Sequence, residues 1–299
     1  MSSYREASAR ERIAAVLDAG TFEEFLPPAR RVVSPHLAQL DSPVSFDDGV
    51  VVGKGKLDGM TVFAAAQEGG FMGGAVGEVH GAKLTGLLRR AVDERADAVL
   101  LLLDTGGVRL HEANAGLIAV SEVMRAVLDA RDAGVPVISL IGSANGCFGG
   151  MGIVARCTNA ILMSEEGRLA MSGPEVIETA AGVEEFDSRD RALVWRTTGG
   201  KHRYLLGDAT TLVADDTGAF RQAAREAVVA ARERDAALTL EALEREHAQL
   251  ASRLERFEGM RDPLEIWQAL GVPRPETIPM LEAEEFLGVA KPFREGVGA

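Results

Sequence analysis

The chain has 299 residues and 46% hydrophobic content, enough for a soluble globular protein with a large core. Its net charge of −13 argues against a nucleic-acid or anionic-membrane partner. No apolar run approaches the ~18 residues that span a bilayer, and the charged start Met1–Arg12 has no signal-like apolar region, so a cytoplasmic location is expected. Two cysteines, Cys147 and Cys157, cannot form a disulfide framework or a four-cysteine zinc ribbon.

In chain order, Arg5–Ala19 reads as an amphipathic helix and Thr21–Phe25 as a cap with a short second helix. Residues 26–47, with Pro27, Pro28, Pro35 and Pro43, read as an irregular connection. Gly49–Ala66 holds two strands turning at Leu57-Asp58-Gly59, where Asp-Gly signals a hairpin. A glycine-rich stretch, 67–77, leads into a helix over Glu78–Arg95. The apolar run Ala98–Leu103 is one buried strand, followed by the Gly106-Gly107 turn and a helix over Ala113–Ala133. A strand at Val135–Ile141, a second glycine turn at 142–150, a short helix at Met151–Arg156 and a strand at Asn159–Ser164 repeat the pattern. Leu169–Ile177 offers a further strand and a helix start, capped by Ser172 or Gly173 with Pro174 in the first turn. Gly199–Tyr204 reads as a basic loop, and 207–214 holds a short strand. Thr217–Phe257 is helical, with heptad spacing at Leu240, Leu243, His247, Leu250 and Leu254 that suits packing on its own domain or, alternatively, an arm that contacts a partner. The proline-bearing tail from Gly271 reads as extended.

Alternating strands and helices favour an α/β fold with a mostly parallel sheet. The two glycine turns then face the same sheet end, where open α/β folds bind ligands. Backbone amides of Gly106, Gly107, Gly149 and Gly150 are candidates for an oxyanion hole, which suits an enolate formed beside a thioester carbonyl. His80, His111 and His202 are candidate proton donors or substrate ligands. Cys147 adjoins the second turn. The chain has no Gly-x-Ser-x-Gly elbow, no phosphate loop with its lysine and no His-Glu-x-x-His pair. Neither a metal nor a tightly held cofactor is expected.

Taken together, Gly70–Lys83, Asp104–Glu112, Gly149-Gly150 and Ser172–Glu178 resemble the carboxyltransferase branch of the crotonase superfamily. Within that branch the chain is similar to the β subunits of biotin-independent malonate decarboxylases. Thr105-Gly106-Gly107-Val108-Arg109 stands where carboxyltransferases usually have Ser-Gly-Gly-Ala-Arg. The resemblance implies a crotonase-like spiral of ββα units over residues 48–220, with a helical leader at 1–47 and a helical extension at 221–299. It implies an active site shared with a homologous γ subunit, and loss of CO₂ from a malonyl thioester carried on the prosthetic group of an acyl carrier protein. Gly73, Gly74, Arg109, Cys147, Ser172 and Gly173 are the candidate substrate contacts, and Lys201-His202-Arg203 is a candidate basic patch for an acidic carrier. Two other readings are a biotin-dependent acyl-CoA carboxyltransferase β subunit and a noncatalytic scaffold of the same fold.

Overall fold

The computed structural model describes residues 2–233 and 238–295. Helix α1 (Ala9–Val16) starts at Ser8, where the Ser8 hydroxyl and the Glu11 carboxylate cap each other's backbone amides. Next comes β1 (Glu23–Glu24), which lies antiparallel to the hairpin β2 (Val50–Leu57) and β3 (Met60–Gln67). The short helix expected at Thr21–Phe25 is thus an edge strand. The unpaired side of β2 supplies the ladder, and the Phe25 amide donates to the Val52 carbonyl at 3.0 Å.

From β3 onward strand and helix alternate, as expected: α2 (Glu78–Asp93), β4 (Ala98–Leu103), α3 (Asn114–Asp132), β5 (Val137–Ile141), α4 (Gly149–Arg156) and β6 (Ala160–Ser164). Three helices follow, α5 (Pro174–Ala181), α6 (Arg191–Thr198) and α7 (Gly200–Leu205), before β7 (Thr211–Val213). The strands form one seven-stranded sheet in sequential order, antiparallel from β1 to β3 and parallel from β3 to β7.

Both sheet faces are covered, which is why β4 is apolar at every position. Val99, Leu101 and Leu103 pack with α2, α3 and α4 on one face. Ala98, Leu100 and Leu102 face the other, covered by α1 and by α8 (Thr217–Glu233). There Tyr4 stacks on Phe220 with ring centroids 3.8 Å apart. Residues before 48 and after 220 therefore share one core with the segment between them.

Three C-terminal helices complete the described chain: α9 (Leu240–Arg256), α10 (Pro263–Ala269) and α11 (Ala283–Ala290). The tail from Gly271 is largely helical rather than extended, with a 3-10 helix at Pro275–Met280 and α11. Pro275 occupies a first-turn position there, where a missing N–H costs nothing, as Pro263 does in α10 just before the tail. The heptad leucines of α9 do not pack on the domain either. No residue of α9 is buried, and Leu240, Leu243, Leu250 and Leu254 are exposed. Polar residues hold α9 instead, through Arg253 to Asp208 and Glu295 at 3.0 and 2.9 Å. Among the described residues, no helix is long and apolar enough to cross a membrane.

At the carboxyl end of the parallel strands the chain makes a second, smaller ladder. Val76 bridges Val108, Thr105 bridges Cys147, and Cys147 bridges Leu169, all in parallel. Strands β3 to β6 are thus each followed by a short extended segment in a second layer and then by a helix, the ββα spiral of a crotonase-like fold.

Candidate active site at the paired glycine turns

The second ladder decides which amides are free. The Gly106 N–H donates to the Gly73 carbonyl at 2.8 Å, and the Gly107 N–H to the Thr105 hydroxyl at 3.0 Å. The Gly149 N–H donates to the Met171 carbonyl at 2.9 Å. Three of the four amides expected in an oxyanion hole are therefore committed within the chain. Gly150 is the exception: it lies in the first turn of α4, where N–H groups have no helical partner, and it has no other acceptor among the described residues.

A second free donor is Val108, which the sequence reading passed over. The Val76 N–H donates to the Gly107 carbonyl, and the Arg109 N–H to the Val76 carbonyl, at 2.8 and 2.9 Å. In an extended segment alternate amides point to opposite sides, so the Val108 N–H turns away from residue 76 and is unpaired. This alternation is the sequence-level signal that could have found it.

The two turns touch. A Cβ placed on Gly149 would lie 3.3 Å from the Gly107 Cα and 3.9 Å from the Val108 nitrogen. A Cβ on Gly107 would lie 3.0 Å from the Phe148 carbonyl oxygen, and its φ of +112° is one that side chains avoid. Glycine is needed here so that the backbones can meet. The result is two unpaired N–H groups, one at the start of a helix, on adjoining turns at the end of a parallel sheet. Such donors stabilise developing negative charge on oxygen.

Charged side chains lie below the turns, but they face one another. Arg109, expected to contact substrate, is buried and donates to both Asp48 carboxylate oxygens at 2.9 and 3.0 Å and to Glu112 at 2.8 Å. Burial pushes the Asp48 carboxyl up, against the pull of Arg109. Burial also opposes ionisation of Glu112. Bonds from the Glu78 amide, Arg109 and Ser34 outweigh that effect and hold Glu112 below the usual carboxylate range. The Glu78 amide opens α2, so Glu112 supplies the anion at that helix N-terminus.

His80 belongs to the same layer and not to the surface. It is fully buried, with Nδ1 3.1 Å from the Asp48 carbonyl and Nε2 3.1 Å from Gln67 Nε2. Burial and the neighbouring Arg109 and Lys83 charges lower its pKa to about 3, so it is neutral. His111 is exposed, on the short turn after Arg109. His202 is buried and accepts a hydrogen bond from Trp267 at 3.1 Å. Lys201-His202-Arg203 is no basic loop but part of α7. Lys201 pairs with Glu165 at 2.7 Å and Arg203 with Asp208 at 3.2 Å, which leaves no patch to attract a carrier.

The remaining candidates frame the turns. Gly73 is exposed and lends its carbonyl to Gly106. Gly74 is buried, and a Cβ there would collide with the Asp104 carbonyl at 1.7 Å, so it serves close packing. Cys147 is fully buried in the core, and burial pushes its thiol far above the ordinary range, which keeps it protonated and unreactive. Gly173 is the N-cap of α5, with Pro174 behind it, and Ser172 makes no side-chain cap. Asp104 is a residue that sequence reasoning missed. It pairs with buried Arg12 at 2.8 Å and accepts the Asn145 amide at 3.0 Å, while the Asn145 side chain bonds Gly69 at 3.0 Å. One carboxylate thus ties the glycine-rich loop to the second turn.

A main parallel sheet with this second ladder defines a crotonase-like fold. The profile of the carboxyl transferase domain matches residues 5–229, and the chain belongs to that family. The chain is 42% identical to the malonyl-S-ACP:biotin-protein carboxyltransferase of Malonomonas rubra, over 97% of this chain and 96% of that protein. Its structure is similar to a chain of a Pseudomonas malonate decarboxylase hetero-tetramer in complex with malonate: TM-score 0.81, 39% identity, 90% of this chain and 97% of that one. A Pseudomonas malonate decarboxylase hetero-dimer matches with a TM-score of 0.63 at 39% identity, covering 76% of this chain and 88% of that one.

Proposed function

We propose that this chain is the β subunit of a malonate decarboxylase, acting on a malonyl thioester in a site completed by a homologous γ subunit. The observation that carries the mechanism is the pair of unpaired amides, Val108 and Gly150, on turns in contact. The bond between the α-carbon and the carboxylate breaks, CO₂ leaves, and the electron pair passes to the thioester oxygen as an enolate. The two amides receive that oxygen. A proton then adds to the α-carbon. Burial of His80 favours exposed His111, the partner or water as its source.

Likeness to the Pseudomonas assemblies supports a homologous partner, and the surface near the site fits one. Leu110, Leu117 and Ile118 around the start of α3, and Met171 and Val176 around α5, are large, apolar and exposed. The thioester is carried by an acyl carrier protein, and no resident cofactor takes part. A second reading rests on the name of the Malonomonas rubra relative, a biotin-protein carboxyltransferase. There the same enolate forms and the carboxyl group passes to biotin. The test is CO₂ release from malonyl thioester by the chain alone, by the chain with its γ partner, and by that complex with avidin. Avidin-insensitive release by the complex only is expected. Full activity of the isolated chain would sink the shared site, and a strict need for a biotinylated protein would establish the second reading.

A further inference from the structure

Three segments meet at one buried carboxylate beside the paired turns. Asp104 follows the last residue of β4 and is almost wholly enclosed. One of its oxygens accepts the Asn145 backbone amide at 3.0 Å, at the entry to the second turn. The other accepts from Arg12 at 2.8 Å. The Asn145 side chain donates in turn to the Gly69 carbonyl at 3.0 Å, in the glycine-rich loop. A Cβ on Gly69 would collide with both the Asp104 carboxylate and the Asn145 side-chain amide, so glycine lets the three segments close on one another. Arg12 comes from the leader helix α1 and is also buried. That helix grips the loop twice more. Arg12 donates to the Gln67 carbonyl at 3.4 Å, and the Ala9 amide to the Glu68 carboxylate at 3.1 Å.

A buried ion pair is a poor device for stability alone, because both ions lose their hydration and an apolar pair of similar size often serves as well. What it does offer is direction. The two turns are joined by a one-residue bridge, in which the Thr105 amide donates to the Gly146 carbonyl at 2.8 Å and the Phe148 amide to the Thr105 carbonyl at 3.0 Å. Backbones joined at one bridge can still pivot about it. Asp104 adds a second tie beside that bridge. Asn145 carries the tie on to the loop whose Gly73 carbonyl holds the Gly106 amide. With the pivot blocked, the Val108 and Gly150 amides keep one separation and one aim. We propose that Asp104 and Arg12 are positioning residues, which set these two amides for the enolate oxygen without touching substrate. The proposal deepens the thioester reading above and rests on it.

The test uses the complex with the partner subunit and malonyl thioester, with rates taken per folded molecule. Arg12→Met with Asp104→Leu removes the pair without stranding a charge, so the melting temperature should stay near that of the wild type. Its kcat should nevertheless fall about 10–100-fold with KM little changed, the scale on which a displacement of about 1 Å is felt. Arg12→Met with Asp104→Asn restores an acceptor for the Asn145 amide and should recover part of the lost kcat. Asn145→Ala leaves the pair intact and should lower kcat about fivefold, the worth of one neutral hydrogen bond. It keeps the test decisive if the double variants do not fold. Wild-type kcat in folded variants, or a loss confined to KM, would overturn the proposal. Amide hydrogen exchange on the same complexes needs no turnover. Peptides across 105–110 and 144–152 should exchange about tenfold faster in the variants, while peptides from β2 and α2 keep their rates. Wild-type exchange in the turns would overturn the proposal. Faster exchange in a complex that releases no CO₂ would keep the positioning role and remove the thioester reading instead.

Discussion

Two layers at the carboxyl end of the sheet use opposite means. The upper layer, the turns at 105–108 and 147–150, is almost bare backbone, and its useful groups are amides left unpaired by the alternation of a short ladder. The lower layer, Asp48, His80, Arg109 and Glu112, is dense with ionisable side chains that satisfy one another out of water. Side chains that look chemical in sequence do the holding, and the unpaired amides lie at positions whose side chains are apolar or absent. Substitutions in the two layers should therefore fail differently.

The largest effect should come from Arg109→Ala. It strands two buried carboxylates, Asp48 and Glu112, and removing one partner from a buried ion network costs about 3–5 kcal/mol. Urea denaturation should show that loss, or the variant should not accumulate folded. Wild-type stability would mean that the lower layer is not a scaffold.

Gly107→Val attacks the upper layer. Crowding the Phe148 carbonyl and displacing Val108 should lower turnover of the complex by about 10²–10³, the scale of one lost oxyanion donor. The left-handed φ adds a folding cost of about 1–3 kcal/mol, so turnover is to be measured per folded molecule. Normal turnover in a folded variant would remove this turn from the site.

The same contrast explains what the sequence made legible. Strands such as β4 are legible because burial on both faces leaves an unbroken apolar run, and the hairpin because Asp58-Gly59 is a local turn signal. The roles of Arg109 and His80 are not legible. Their partner Asp48 lies 61 and 32 positions away, and no local pattern says that distant charges will meet. Val108 carries no chemical side chain, so only the register of a one-residue bridge reveals its free amide. The heptad in α9 reads correctly as amphipathic, but periodicity does not say which face turns to the body.

Acid should act mainly on buried histidines outside the turns. His80 and His202 are both lowered from the ordinary 6.5 to about 3 by burial and nearby cations, so below 6.5 the unfolded chain binds protons that the folded one refuses. Their contribution is complete above that pH and is lost as pH falls toward 3, by at most about 1.4 kcal/mol per unit for each histidine. Urea titrations at pH 7 and pH 5 should show the loss, and His80→Gln should reduce its slope. An unchanged slope would mean that His80 is solvated and free to titrate.

The smallest effect on folding should come from His111→Asn, and it sharpens the comparison because His111 belongs to neither layer. The side chain is exposed and has no hydrogen bond among the described residues, so stability should move by less than about 0.5 kcal/mol. Its turn nevertheless follows directly from Val108 and Arg109, beside exposed Leu110, where the proposed partner would close over the site. If His111 delivers the proton to the α-carbon, the variant complex should keep its KM and lose kcat. An unchanged kcat would pass the proton's source to the partner or to water. Either outcome leaves the isolated chain as stable as before, which separates an exposed side chain outside both layers from the buried histidine at position 80.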